Sequence, residues 1–168
     1  MSDYVLGVLI GVFAAVVLGF IGFYVIGKKC GSTKYDERQK AGQGKAYQAG
    51  FFTLLISVTL VSILNDCDVL PGSDFVWQIA AVLVGVAVFA LTAIHFDAYV
   101  GMTDTPKRFI IMGSFFTVAM IFSAIGNFLA DERDNHDIGF INLMLAVIWM
   151  LIVVALLIHN RKKAEDEE

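Results

Sequence analysis

Apolar residues run along this chain in long blocks, and every Asp, Glu, Lys and Arg lies outside them. Five stretches hold none of those four residues: Tyr4 to Ile26, Ala46 to Leu64, Phe75 to Ile94, Phe109 to Ala130 and Ile138 to Ile158. Each is close to the roughly 20 residues that a helix needs to cross hydrocarbon. With no water there to satisfy a backbone N–H or C=O, a crossing segment must be a helix or part of a closed barrel. These blocks lack the two-residue alternation of barrel strands. The pattern therefore predicts an all-α integral membrane bundle of five transmembrane helices. In the second stretch only Phe51 to Leu64 is strongly apolar, so taken alone it would also fit a re-entrant segment.

Charge placement decides between those two readings. If all five stretches cross, the connecting segments alternate between two sides. One side then collects 11 of the 12 basic residues: Lys28, Lys29, Lys34, Arg38, Lys40, Lys45, Lys107, Arg108, Arg161, Lys162 and Lys163. The other holds only Arg133 among a group of aspartates and Glu132. Four crossings would break this asymmetry. By the preference of Lys and Arg for the cytoplasmic face, the N-terminus lies outside and the C-terminus inside. Residues 28–48 then form a basic cytoplasmic loop and 161–168 a charged cytoplasmic tail, with Glu165 to Glu168 solvated and disordered.

Composition agrees. Of 168 residues, 58% are hydrophobic and 17% charged, against about 25% charged in soluble domains, and mean hydropathy is +0.74. Five spans with short connections use up the chain and leave no room for a soluble catalytic domain. The N-terminal Met-Ser-Asp has no basic residue ahead of the first apolar block, unlike a secretory signal, so that block is expected to remain in the mature protein. Cys30 and Cys67 fall on opposite sides of the membrane and are not expected to pair.

Local signals sharpen the boundaries. Thr33 and Asp36 fit a capping box, and Asp36 with Lys40 an i,i+4 ion pair. They predict a short helix before the second span, interrupted at Gly42 and Gly44. Thr105 and Pro106 suit the cap and first turn of the fourth span. Pro71-Gly72 predicts a tight outer turn. Phe51-Phe52-Thr53 recurs as Phe115-Phe116-Thr117, and Ile94-His95 as Ile158-His159, both at an offset of 64. This suggests a tandem repeat of two helical hairpins in the same orientation.

Candidate chemistry is sparse. Gly7, Gly11, Ala15 and Gly19 place small side chains along one face of the first span, for packing against this chain's own helices or a second copy. The spans carry hydroxyls and amides but no charge. Gln78, Thr92, Ser123 and Asn127 either line a polar cavity or hydrogen-bond neighbouring helices. His95 and His159 end the third and fifth spans. They are either helix C-terminal histidines at the headgroups or, if both face the repeat axis, a pair able to hold haem iron or a divalent metal. Asp131, Glu132, Asp134, His136 and Asp137 form either a solvated acidic turn or a hard-cation site without the spacing of a calcium loop.

No hydrolase, metalloprotease or phosphate-loop motif occurs, so the expectation is a non-enzymatic protein without a cofactor and without a nucleic-acid partner. The lipid bilayer is its surrounding, with a homo-oligomer or a protein partner at residues 28–48 left open. Finally, Tyr35-Asp36-Glu37-Arg38-Gln39, followed by Gly44-Lys45-Ala46 and the aromatic start of a span, resembles small uncharacterised bacterial membrane proteins with an Asp-Glu-Arg-Gln motif before an apolar helix. That resemblance implies a multi-pass protein of the bacterial inner membrane and nothing about activity. The leading expectation is an interaction or regulatory component, and the alternative is a small-solute transporter or ligand-binding protein with a site between the hairpins.

Overall fold

Four helices account for nearly all of the backbone in the computed structural model, which describes residues 35–101, 105–130 and 133–166. They are α1 (Glu37–Asp66), α2 (Asp74–His95), α3 (Pro106–Leu129) and α4 (Arg133–Asp166). Each is long and apolar enough to cross a membrane. The first apolar stretch, Tyr4 to Ile26, with its small-residue face of Gly7, Gly11, Ala15 and Gly19, lies outside the described residues, as does Cys30.

Helix limits differ from the sequence expectation in four places. The first helix does not break at Gly42 or Gly44 but runs unbroken from Glu37 to Asp66, because Gly42 is buried against Phe96 and Ala98. Asp36 is not the third helical residue of a box begun by Thr33. It is itself the N-cap, accepting from the Gln39 backbone while the Gln39 side chain accepts from the Asp36 N–H. Its carboxylate is thus committed to the cap rather than to Lys40. At the far end, α4 begins at Arg133, so His136 and Asp137 are helical instead of sitting in a turn. The tail is helical through Asp166 rather than disordered from Glu165, consistent with the helix-favouring run of Arg, Lys, Ala and Glu and with Lys163 being held by an ion pair to Asp97.

Packing follows a simple plan. α1 pairs with α2, α3 with α4, and α2 with α4 joins the two hairpins. Small residues fill the interfaces. Of the buried hydrophobic residues seven are alanine: Ala46, Ala81, Ala90, Ala93, Ala98, Ala124 and Ala146. Many of the large side chains point outward instead, with Phe122 71%, Phe115 70% and Leu129 81% exposed. In water this distribution would cost heavily; in lipid, where apolar burial no longer drives association, close backbone packing through small residues is what holds helices together.

Gly50 and Gly85 show the closest approach. A Cβ on Gly50 would stand 2.7 Å from Phe89 Cβ, and one on Gly85 2.7 Å from Leu54 Cβ. A hydroxyl reinforces this seam, since Ser57 Oγ lies 2.9 Å from the Ala81 carbonyl oxygen of α2. In the second hairpin Gly113 meets Val153 and Trp149, with Trp149 stacked on Phe116 at 5.4 Å. Between the hairpins, Ala90 and Ile94 of α2 pack with Ile152 and Leu156 of α4. This parallel pairing brings the C-terminal portions of both helices to one end, together with the start of α1 and of α3. It is the end rich in Lys and Arg.

Candidate functional site

The site forms where α2 stops. After the cap residue Phe96, Asp97 turns into the left-handed region at φ 58°. The Ala98 N–H then reaches the Ala93 carbonyl at 2.8 Å and the Asp97 N–H the Ile94 carbonyl at 3.1 Å. This is the Schellman ending of a helix, at a position usually occupied by glycine. Aspartate tolerates that conformation better than most residues, at some cost, and here its carboxylate has partners.

Those partners come from α4. His159 Nε2 lies 2.7 Å from Asp97 Oδ1 and Lys163 Nζ 3.3 Å from Oδ2. His159 and Lys163 are four residues apart on α4, which puts both on one face, one turn above the other. Burial tends to raise the Asp97 pKa, but the hydrogen bonds from His159 and Lys163, together with their charge, outweigh it and hold the carboxyl below its ordinary value of 3.8. Both ion pairs present among the described residues converge on this one carboxylate.

α1 grips the same loop from the other side. Gln39 Nε2 donates to the carbonyls of Asp97 at 2.9 Å and Val100 at 3.3 Å, and Gln43 Nε2 to that of Ala98 at 3.2 Å. Gln39 thus works twice, closing the N-terminal cap with its oxygen and clamping the loop with its nitrogen. The Lys45 ammonium sits over the Phe96 ring, 4.9 Å from its centroid. Residues 97–100 are therefore fixed by helices from both hairpins, and the Asp-Glu-Arg-Gln segment supplies part of that framework.

Around this centre is a groove of about 770 Å³ whose lining includes Arg38, Gln39, Asp97, Lys107, His159 and Lys163, with Ile94 and Leu156 among the apolar residues. A second recess of about 420 Å³ adjoins it at Arg38, Asp97 and His159 and includes Lys45 and His95. Tyr99 borders the first groove, and burial raises its phenol pKa. No described lining residue is Ser or Cys, so the His159–Asp97 pair has no such nucleophile beside it there. What the arrangement offers is hydrogen-bond donors and positive charge in a cleft with an apolar floor.

The residues singled out from sequence are distributed differently. His159 is at the centre of the site. His95 is exposed, its ring against Phe96 at 5.1 Å, and no group of three potential metal ligands occurs among the described residues. Ser123 and Asn127 lie toward the opposite end, where Asn142 Nδ2 donates to Ser123 Oγ at 2.9 Å and Asn127 Nδ2 to the Ser123 carbonyl at 2.8 Å. Gln78 is exposed on α2, Thr92 is half-buried, and none of these four lines either groove. Of the acidic group, Asp131 and Glu132 lie outside the described residues, as do the side-chain surroundings of Asp134. The His136 ring packs edge-on to Phe128 at 6.2 Å.

Asp97, Gln39 and Gln43 are the functional residues that sequence reasoning missed. A signal for Asp97 existed, since a polar residue two places past an apolar helix suits a helix ending. Nothing in the sequence linked it to His159, 62 positions on.

Fold and site together describe a helical bundle compatible with a multi-pass membrane protein, with a charged cluster gathered at one end. Comparison with protein-family models, with curated proteins and with solved structures finds no match.

Proposed function

We propose that this is a non-enzymatic multi-pass protein of the bacterial inner membrane, with five spans and its N-terminus outside, that serves as an interaction or regulatory component through its cytoplasmic end. The observation that carries the reading is the fixed first part of α1. Gly42, Ala46 and Gly50 bury one side of the helix, while Lys40, Gly44 and Gln48 leave the other exposed. Gln39 and Gln43 tie this segment to the loop after α2. A partner would meet a surface already ordered, which lowers the entropic cost of binding.

Photo-crosslinking tests it. A photoreactive amino acid at Lys40 or Gln48, in cells, is expected to give a protein adduct of discrete mass, and one at the exposed Val69 of the opposite end none. No discrete adduct at Lys40 or Gln48, or the same adduct from all three positions, would overturn the reading.

A second reading, a ligand-binding protein with its site between two duplicated hairpins, is favoured by the groove itself, whose walls come from both. The two hairpins pack in a related way but not in one register: Gly50 lies against Phe89 and the Gly85 carbonyl, and Gly113 against Trp149 and Val153, which stand 64 residues after Gly85 and Phe89, whereas Gly113 stands 63 after Gly50.

A further inference from the structure

We propose that the groove at the basic end is a phospholipid site, in which Arg38, Lys107 and Lys163 hold the phosphate of an anionic headgroup and the first carbons of an acyl chain rest on Ile94 and Leu156. This assignment rests on the second reading above and names its ligand.

Charge is the first argument. The described carboxylates at the groove are Asp36 and Asp97. Asp36 is committed to the α1 cap and Asp97 to His159 and Lys163. Among the described residues neither Arg38 nor Lys107 has a carboxylate within ion-pair distance, and both are exposed. Lys163 spends one contact on Asp97 and keeps further donors on a side chain that is 57% exposed. An anion entering here meets Arg38 and Lys107, which no described carboxylate neutralises, and the remaining donors of Lys163.

Depth is the second. Ile94 is the penultimate residue of α2 and Lys107 the second of α3, so the floor belongs to the apolar spans and the rim to their polar ends. A free anion has no use for such a floor, whereas an amphiphile needs both parts. Basic pockets between helices at the cytoplasmic surface are a known way of holding acidic lipid headgroups. A volume near 770 Å³ also falls in the range of roughly 300–1,000 Å³ typical of small-ligand sites.

The test is native mass spectrometry of the full chain in mild detergent, titrated with dioctanoyl phosphatidylglycerol, dioctanoyl phosphatidylcholine or inorganic phosphate. One equivalent of phosphatidylglycerol should bind about tenfold more tightly than phosphatidylcholine, with Arg38→Gln and Lys107→Gln each weakening it by roughly fivefold. Lys107→Arg, which keeps the charge, and Lys40→Gln, outside the groove, should bind as the unaltered chain does. Unaltered melting temperatures for the two Gln variants would assign their loss to charge. Equal binding of both lipids, or no effect of either Gln variant, overturns the anionic-lipid assignment and leaves a site between the hairpins standing. Inorganic phosphate bound as tightly as the lipid, with the same variant pattern, replaces the lipid by the free anion. No bound species of any kind overturns this assignment and the second reading together.

Discussion

Asp97 and Asp68 occupy the same backbone position in two different helix endings, at φ 58° and φ 55°. Asp68 follows α1 with the same pair of backbone bonds, from its own N–H to Asn65 and from Val69 to Leu64, but no ion pair holds its carboxylate among the described residues. The two sites therefore separate backbone cost from side-chain gain. Asp68→Gly should stabilise the protein by up to about 1 kcal/mol, because glycine adopts this conformation without strain. Asp97→Gly should be close to neutral, the same backbone relief being offset by loss of a pair that, at 41% exposure of the carboxylate, is worth roughly 0–1 kcal/mol. Asp97→Ala loses the pair without the relief and should melt lowest. The acid limb gives a check: the folded pKa of Asp97 lies below 3.8, so its stabilisation is complete above that pH and lost as pH falls through the lowered value. Below about pH 4 the unaltered chain loses this contribution while Asp97→Gly keeps the backbone relief, so in thermal melts the glycine variant should overtake the unaltered chain.

Glycines mark two kinds of helix face, one in close backbone contact and one open. At Gly50 and Gly85 an added Cβ would lie 2.7 Å from a neighbouring Cβ, whereas at Gly44 and Gly126 it would meet nothing within 4 Å among the described residues. Gly50→Ala or Gly85→Ala should therefore push α1 and α2 apart and destabilise by about 1–3 kcal/mol. Gly44→Ala and Gly126→Ala remove a flexible residue from a helix interior and should stabilise by roughly 0.5–1 kcal/mol. Melting in detergent distinguishes the two sets. A uniform effect across all four would mean that helix propensity alone governs these positions and that the α1–α2 seam has no packing role.

The alternation of charge between successive connections is a property of the whole molecule, and the four described helices keep the parity it requires. Lys107, Arg108, His159 and Lys163 gather with the start of α1, while Cys67 and Pro71 fall at the other end, where Trp77 Nε1 donates to the Pro71 carbonyl at 2.8 Å. Cys67 is exposed and free. An impermeant thiol reagent added to intact cells should therefore label Cys67 and spare Cys30. Labelling of Cys30 with protection of Cys67 would invert the orientation, and with it the cytoplasmic placement of the groove.

Much of this architecture is legible in one dimension because lipid imposes a one-dimensional rule. A span must be apolar for about 20 residues and helical throughout, so the limits near Phe75 and Ile94, or Phe109 and Ala130, follow from composition and agree with α2 and α3 to within a few residues. Polar helix ends obey no such rule. That α1 starts nine residues before Ala46 rests on the Asp36–Gln39 cap and on contacts with another element, Gln39 against residues 97–100 and Gly42 under Phe96, and the run of α4 to Asp166 goes with Lys163 against Asp97. The site was hidden for the same reason. A pattern along the chain reports which face of a helix is apolar, but Asp97 and His159 meet only because α2 and α4 pack in parallel through Ala90, Ile94, Ile152 and Leu156. That choice of neighbour is made by close packing in three dimensions, where the fit between small side chains and backbone, rather than hydrophobicity, distinguishes one helix face from another.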